Sequence, residues 1–176
     1  MIEILKQRIK KGIVTMTSAG VLNAGTESVE TIGKELKDEI LKKFGRSFHI
    51  REVDTGSCGA CESEIIAATN PLYDIQRFGI DFVASPRHAD ALLVTGPVSK
   101  NMKLALKKTY DAMPAPKMVI TLGNCALDGW VFKDSYYIEL GVRNVLPVSI
   151  HIPGCPPSPL TIMRALLSFL KAQNSK

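Results

Sequence analysis

Hydrophobic and polar positions along the chain follow two periods that alternate. From residue 27 to 44 the apolar residues Val29, Ile32, Leu36, Ile40 and Phe44 recur at helical spacing. Glu27 and Glu30 suit the positive end of a helix dipole, and Lys42 and Lys43 suit the negative end. Gly45 then supplies a stop, so the pattern predicts a helix over Glu27–Phe44. The stretch from Gly12 to Gly25 is rich in small residues and reads as a loop. Beyond it the chain switches between short apolar runs and helical patterns. Phe48–Val53, Asp81–Ala84, Ala91–Val94, Met118–Leu122 and Val148–Ile152 read as strands. Glu62–Thr69, Lys100–Ala112 and Ser158–Lys171 read as helices. The first stops at Asn70-Pro71, and the last carries Pro159 in its first turn. Alternation of this kind predicts an α/β fold, a parallel sheet covered by helices on both faces. Two segments follow: residues 1–47, an N-terminal extension with one helix, and residues 48–176, the α/β domain.

The 176 residues suffice for one core, and 45% hydrophobic against 22% charged residues fits a globular domain. No apolar run approaches the ~20 residues of a membrane span. The N-terminus lacks the pattern of a signal peptide, which predicts a cytoplasmic, thiol-reducing setting. The net charge of +5 is spread out, aromatic residues make up only 6%, and no aromatic–basic platform is present. Nucleic acid is therefore not an expected partner. The basic set Lys6, Arg8, Lys10 and Lys11 shares a helix-like stretch with Ile2, Leu5 and Ile9. It suits a partner or an anionic membrane surface.

The four cysteines change the picture most. Cys58 and Cys61 form a C-x-x-C after the first strand, Cys125 follows the fourth strand, and Cys155 follows the fifth. In a parallel sheet these sites share the carboxyl edge, where open α/β sheets bind ligands. Four soft thiolates suit an iron–sulfur cluster or zinc. Zinc ribbons usually pair two short C-x-x-C knuckles, and this chain has one. That spread favours a cluster. A thioredoxin-like dithiol at Cys58–Cys61 is sound physically but leaves Cys125 and Cys155 without a role.

The stretch Gly56-Ser57-Cys58-Gly59-Ala60-Cys61-Glu62-Ser63-Glu64-Ile65 resembles the proximal-cluster loop of a known family: the small subunits of energy-converting, membrane-bound NiFe hydrogenases. These are relatives of the small cluster-bearing subunit of respiratory complex I. Tyr73-Asp74-Ile75-Gln76-Arg77-Phe78-Gly79, Ser85-Pro86-Arg87-His88-Ala89-Asp90, Thr95-Gly96-Pro97-Val98 and Ile152-Pro153-Gly154-Cys155-Pro156-Pro157 extend the resemblance from residue 46 to about 170. It implies a flavodoxin-like fold and one 4Fe-4S cluster on Cys58, Cys61, Cys125 and Cys155, with no catalytic residue in this chain. It also implies a large catalytic subunit, a ferredoxin-like iron–sulfur subunit and integral membrane subunits that translocate ions. The location implied is peripheral, on the cytoplasmic side of the cell membrane.

Hydrogenase members typically read C-N-G-C where this chain has C-G-A-C, and complex I members carry adjacent cysteines. A sulfane sulfur reductase or a quinone-reducing, complex I-like enzyme is therefore an alternative setting, with a soluble dithiol oxidoreductase outside it. Glu64, Arg87 and His88 are candidate tuning or interface residues. The bland readings are a dipole-complementing Glu64 and an Arg87 paired with Asp90 or Asp74. Trp130 is a candidate shield or interface anchor, with core packing as its default.

Overall fold

The computed structural model describes residues 18–174, with side chains from 29 to 173. The basic set at Lys6–Lys11 and residues 12–17 of the Gly12–Gly25 stretch lie outside the described residues. The rest of that stretch is helical, because the first helix, α1, runs Ser18–Phe44. Eight residues read as loop thus belong to it, Gly20 and Gly25 included.

The strands are β1 (Phe48–Asp54), β2 (Ile80–Phe82), β3 (Ala91–Thr95), β4 (Met118–Leu122) and β5 (Ile150–Ile152). The remaining helices are α2 (Ala60–Ala68), α3 (Lys100–Ala112), α4 (Asn124–Asp128) and α5 (Pro159–Asn174). All four strand pairings are parallel, in the order β2-β1-β3-β4-β5. This is the flavodoxin-like arrangement, with its crevice between β1 and β3. The central strands β3 and β4 are buried at every residue, as a sheet covered on both faces requires.

Strand alternation splits the core in two. Phe48, Ile50, Leu93, Ile120 and Leu122 face one cluster, which α1, α2 and α5 cover through Val29, Leu36, Ile40, Ile65, Met163, Leu166 and Leu170. Val53, Leu92, Val94 and Val119 face the other, covered by Leu106 and Met113 at α3 and by Val142 and Leu146. α1 is thus built into the sheet's own core. Phe78 lies so close to it that a Cβ on Gly33 would sit 2.3 Å from the ring. Lys171 pairs with Glu35 at 2.6 Å, and Arg77 pairs with Glu30. No helix among the described residues is long and apolar enough to cross a membrane.

Candidate metal centre

The four cysteines meet at the carboxyl edge of the sheet. Ser57, Cys58, Cys61, Gly96, Pro97, Gly123, Cys125, Phe132, Gly154 and Cys155 line a single cleft there. Cys58 is exposed in the turn after β1, and Cys61 is half-buried in the first turn of α2. Cys125 sits in the first turn of α4, and Cys155 is exposed after β5.

The turn after β1 is fixed by side-chain oxygens. Asp54 Oδ1 accepts the N–H groups of Gly56 (2.8 Å) and Ser57 (2.7 Å). The Gly59 N–H donates to Ser57 Oγ at 2.9 Å, and Ser57 Oγ–H donates to Glu62 Oε2 at 2.7 Å. Buried Thr55 joins this turn to the one after β3. Its Oγ donates to the Thr95 carbonyl at 2.6 Å and accepts the Val98 N–H at 3.2 Å. Val98 is fully buried at φ +59, a rare conformation for a β-branched residue. Strain of this kind persists where the surroundings over-determine it. Across the cleft, Asn124 ties the Cys125 turn to the Cys155 turn. Its N–H donates to the Gly154 carbonyl at 2.9 Å, and its Oδ1 accepts the Gly154 N–H at 3.0 Å.

Gly123 makes room for sulfur. It lies at φ +84, ψ 154, and a Cβ there would fall 2.8 Å from Cys61 Sγ. That sulfur is 3.7 Å from the Leu122 carbonyl. Burial, then the charge of Glu62, then the other three cysteines push the Cys61 thiol up to about 12. Burial, then Cys155 and Cys58, also push up Cys125. At Cys61 and Cys125, burial and the neighbouring thiols together disfavour the thiolate form.

Among the described residues, no three Cys, His, Asp or Glu side chains stand close enough to share one metal ion. Zn–S bonds of about 2.3 Å would hold four sulfurs within roughly 3.8 Å of each other. The cysteines instead ring a cleft, from four positions on three turns.

Other candidates are placed elsewhere. Glu64 is half-buried on α2, one turn beyond Cys61. Arg87 and His88 are exposed on a 3-10 turn, Pro86–His88, which precedes β3. The His88 carbonyl lies 3.2 Å from His49 Nδ1, near the start of β1. Five strand residues separate that level from Asp54, or roughly 16 Å at strand rise, so these two side chains do not reach the cleft. Neither pairing read for Arg87 occurs. Arg46 forks onto Asp90 at 2.9 and 2.8 Å, and Asp74 faces Arg77 at 3.6 Å. Trp130 does not pack in the core: it is 42% exposed at φ +38, and Phe132 lines the cleft in its stead. Ser57, Glu62, Gly123 and Asn124 are the site residues that the sequence reading missed. Their only signal was adjacency to a cysteine or its turn.

Residues 58–169 match the family described as NADH ubiquinone oxidoreductase, 20 Kd subunit. The chain is 43% identical over 133 residues to a probable membrane-bound hydrogenase subunit, mbhJ, of Pyrococcus furiosus, covering 76% of this chain and 80% of that one. It is 44% identical over 124 residues to formate hydrogenlyase subunit 7 of Escherichia coli, which covers 70% of this chain but 49% of the relative. A chain in the structure of the membrane-bound sulfane sulfur reductase, an archaeal respiratory membrane complex, superposes with TM-score 0.66. That match has 28% identity and covers 80% of this chain and 77% of the other. The match over residues 58–169, a span that holds all four cysteines, makes this chain a member of the family of the 20 kDa subunit of NADH ubiquinone oxidoreductase, and so a subunit of an oxidoreductase.

Proposed function

We propose that this chain is the electron-transfer subunit of a membrane-bound, NiFe-hydrogenase-type oxidoreductase. It holds one 4Fe-4S cluster on Cys58, Cys61, Cys125 and Cys155. The observation that carries this reading is the convergence of four thiols from three separate turns on one cleft. The residues present fit the group. The donors are soft thiols that line one cleft, and Gly123 leaves space at the Cys61 sulfur. Bound there, the cluster would supply one-electron transfer.

The chain's own residues do the rest. Cys61 and Cys125 resist ionisation on their own, so they would hold iron as thiolates only by giving up their protons, and the iron's charge would offset the repulsion among them. Asp54, Ser57, Thr55 and Asn124 fix the three turns before any ligand arrives, so little ordering entropy is lost on binding. Phe132 and Pro97 wall the cleft with apolar surface.

The large catalytic subunit docks over the carboxyl edge. Trp130, Val131, Phe132, Tyr136, Tyr137 and Leu140 are all more than 40% exposed beside the cleft, a concentration of apolar surface that marks an interface. A ferredoxin-like iron–sulfur subunit delivers electrons, and integral membrane subunits complete the complex. The chain itself sits peripherally, on the cytoplasmic side. A sulfane sulfur reductase is the second reading, favoured by the superposition at TM-score 0.66.

Anaerobic metal and sulfide analysis tests the assignment. The expected result is about four irons per chain and a paramagnetic signal on reduction. Each of Cys58→Ala, Cys61→Ala, Cys125→Ala and Cys155→Ala should lose or alter the signal. Bound zinc without iron, or a dithiol without either, would overturn it.

A further inference from the structure

We infer that Glu62, held in place by Ser57, sets the reduction potential of the group in the thiol cleft by placing a negative charge beside Cys61. The inference rests on the cluster reading above and adds to it a residue that is not a ligand.

Geometry carries the argument. Glu62 and Ser57 each neighbour a cysteine, Cys61 and Cys58 respectively. Because the Ser57 oxygen accepts the Gly59 N–H, its own proton is turned towards Glu62 Oε2, 2.7 Å away. One carboxylate oxygen is thereby pinned. The other, Oε1, is buried and meets no hydrogen-bond donor among the described residues. Glu62 also forms part of the wall of a cavity of about 330 Å³ between α2 and the ends of β1 and β2. Ile65, Ile66 and Phe82 make much of that wall apolar. A charge in such a setting is felt strongly by its neighbours. Glu62 directly follows Cys61 in the first turn of α2, so its charge lies close to whatever that thiol holds. Glu52 lines the same cavity.

A negative charge opposes the arrival of an electron, so Glu62 holds the potential down. The competing role is structural. Glu62 lies in the first turn of α2, where any carboxylate complements the helix dipole. That role would change stability and leave the potential alone.

The test is an anaerobic dithionite titration of the purified full chain, read by the paramagnetic signal. Glu62→Gln keeps the shape and removes the charge. It should shift the reduction equilibrium about tenfold towards the reduced form, about 59 mV upward for one electron, with iron content unchanged. Ser57→Ala releases the pinned carboxylate and should shift it the same way by less. The double variant should match Glu62→Gln, because Ser57 acts only through Glu62. Asp38→Asn, an exposed charge on α1, should shift nothing. An unchanged potential in Glu62→Gln, or in Ser57→Ala should the first variant fail to fold, overturns the inference while leaving the cluster assignment standing. Zinc without iron in the wild-type chain overturns the assignment itself, before any variant is compared.

Discussion

Gly123 leaves the space in which the Cys61 sulfur sits, and its backbone at φ +84, ψ 154 belongs to a region open essentially to glycine alone. Gly123→Ala adds a carbon 2.8 Å from that sulfur and backbone strain together. The expected outcome is a chain that loses most of its bound iron, measured against protein after anaerobic purification. The raised Cys61 thiol makes a second prediction, for the metal-free chain. Its folded value of about 12 exceeds the reference 9.0, so the folded state prefers the protonated thiol. Stability from this group is full below about pH 9 and is lost as pH rises towards 12. The urea midpoint of the metal-free chain should therefore fall across that window, and Cys61→Ser should flatten the fall. At the scale of single residues the cysteines were legible in the sequence, because thiols in turns after apolar runs have few other uses. Their supports were not. Ser57, Glu62 and Asn124 are ordinary polar residues until the turns fold back, and only contact distances show what they hold.

α1 shows how an element is placed by an absence. The ring of Phe78 occupies the position that a side chain on Gly33 would need, with ring carbons 2.3 to 2.5 Å from the would-be Cβ. Arg77, the residue before it, meets Glu30 on the same helix. Gly33→Ala should push helix and ring apart and cost about 1–3 kcal/mol, as overpacking does, read as a lowered denaturant midpoint. Glu35→Ala breaks an exposed pair with Lys171 and should cost less than about 1 kcal/mol. Strands β3 and β4 and helix α3 lie within one residue of the sequence expectation, because continuous apolar runs and a Pro stop leave little choice. β5 begins two residues later than read, at Ile150, after Ser149 turns its side chain to the Val119 N–H. α4 and the 3-10 turns were missed, since one turn of helix is too short to display a period. The start of α1 was missed because glycine and alanine give no amphipathic signal.

Across the described residues, exposed large apolar side chains concentrate in one place. Leu41, Ile66, Leu72 and Leu104 stand singly, whereas the segment from Trp130 to Leu140 projects six aromatic and aliphatic side chains outward. Trp130 and Leu140, at its two ends, hold positive φ angles, and Gly141 packs so close to Leu127 that no side chain fits there. The segment is thus shaped rather than slack. The purified chain should self-associate in size-exclusion chromatography, and Val131→Ser with Tyr136→Ser should shift it towards monomer without changing its melting temperature. A monomer at high concentration in the unaltered chain would count against an interface here.

The order of the sheet also governs timing. Cys58 and Cys61 emerge early in synthesis, yet the set closes only when β5 docks against β4 and brings in Cys155. That last strand is three residues long and lies at the sheet's edge. Like β2 at the opposite edge, it is cheap to detach, since it has one neighbour and few ladder bonds. Docking of this strand then completes the set of turns that receives the metal. Proteins of this design should acquire their metal at the end of folding, and a nascent chain stalled before residue 150 should bind none.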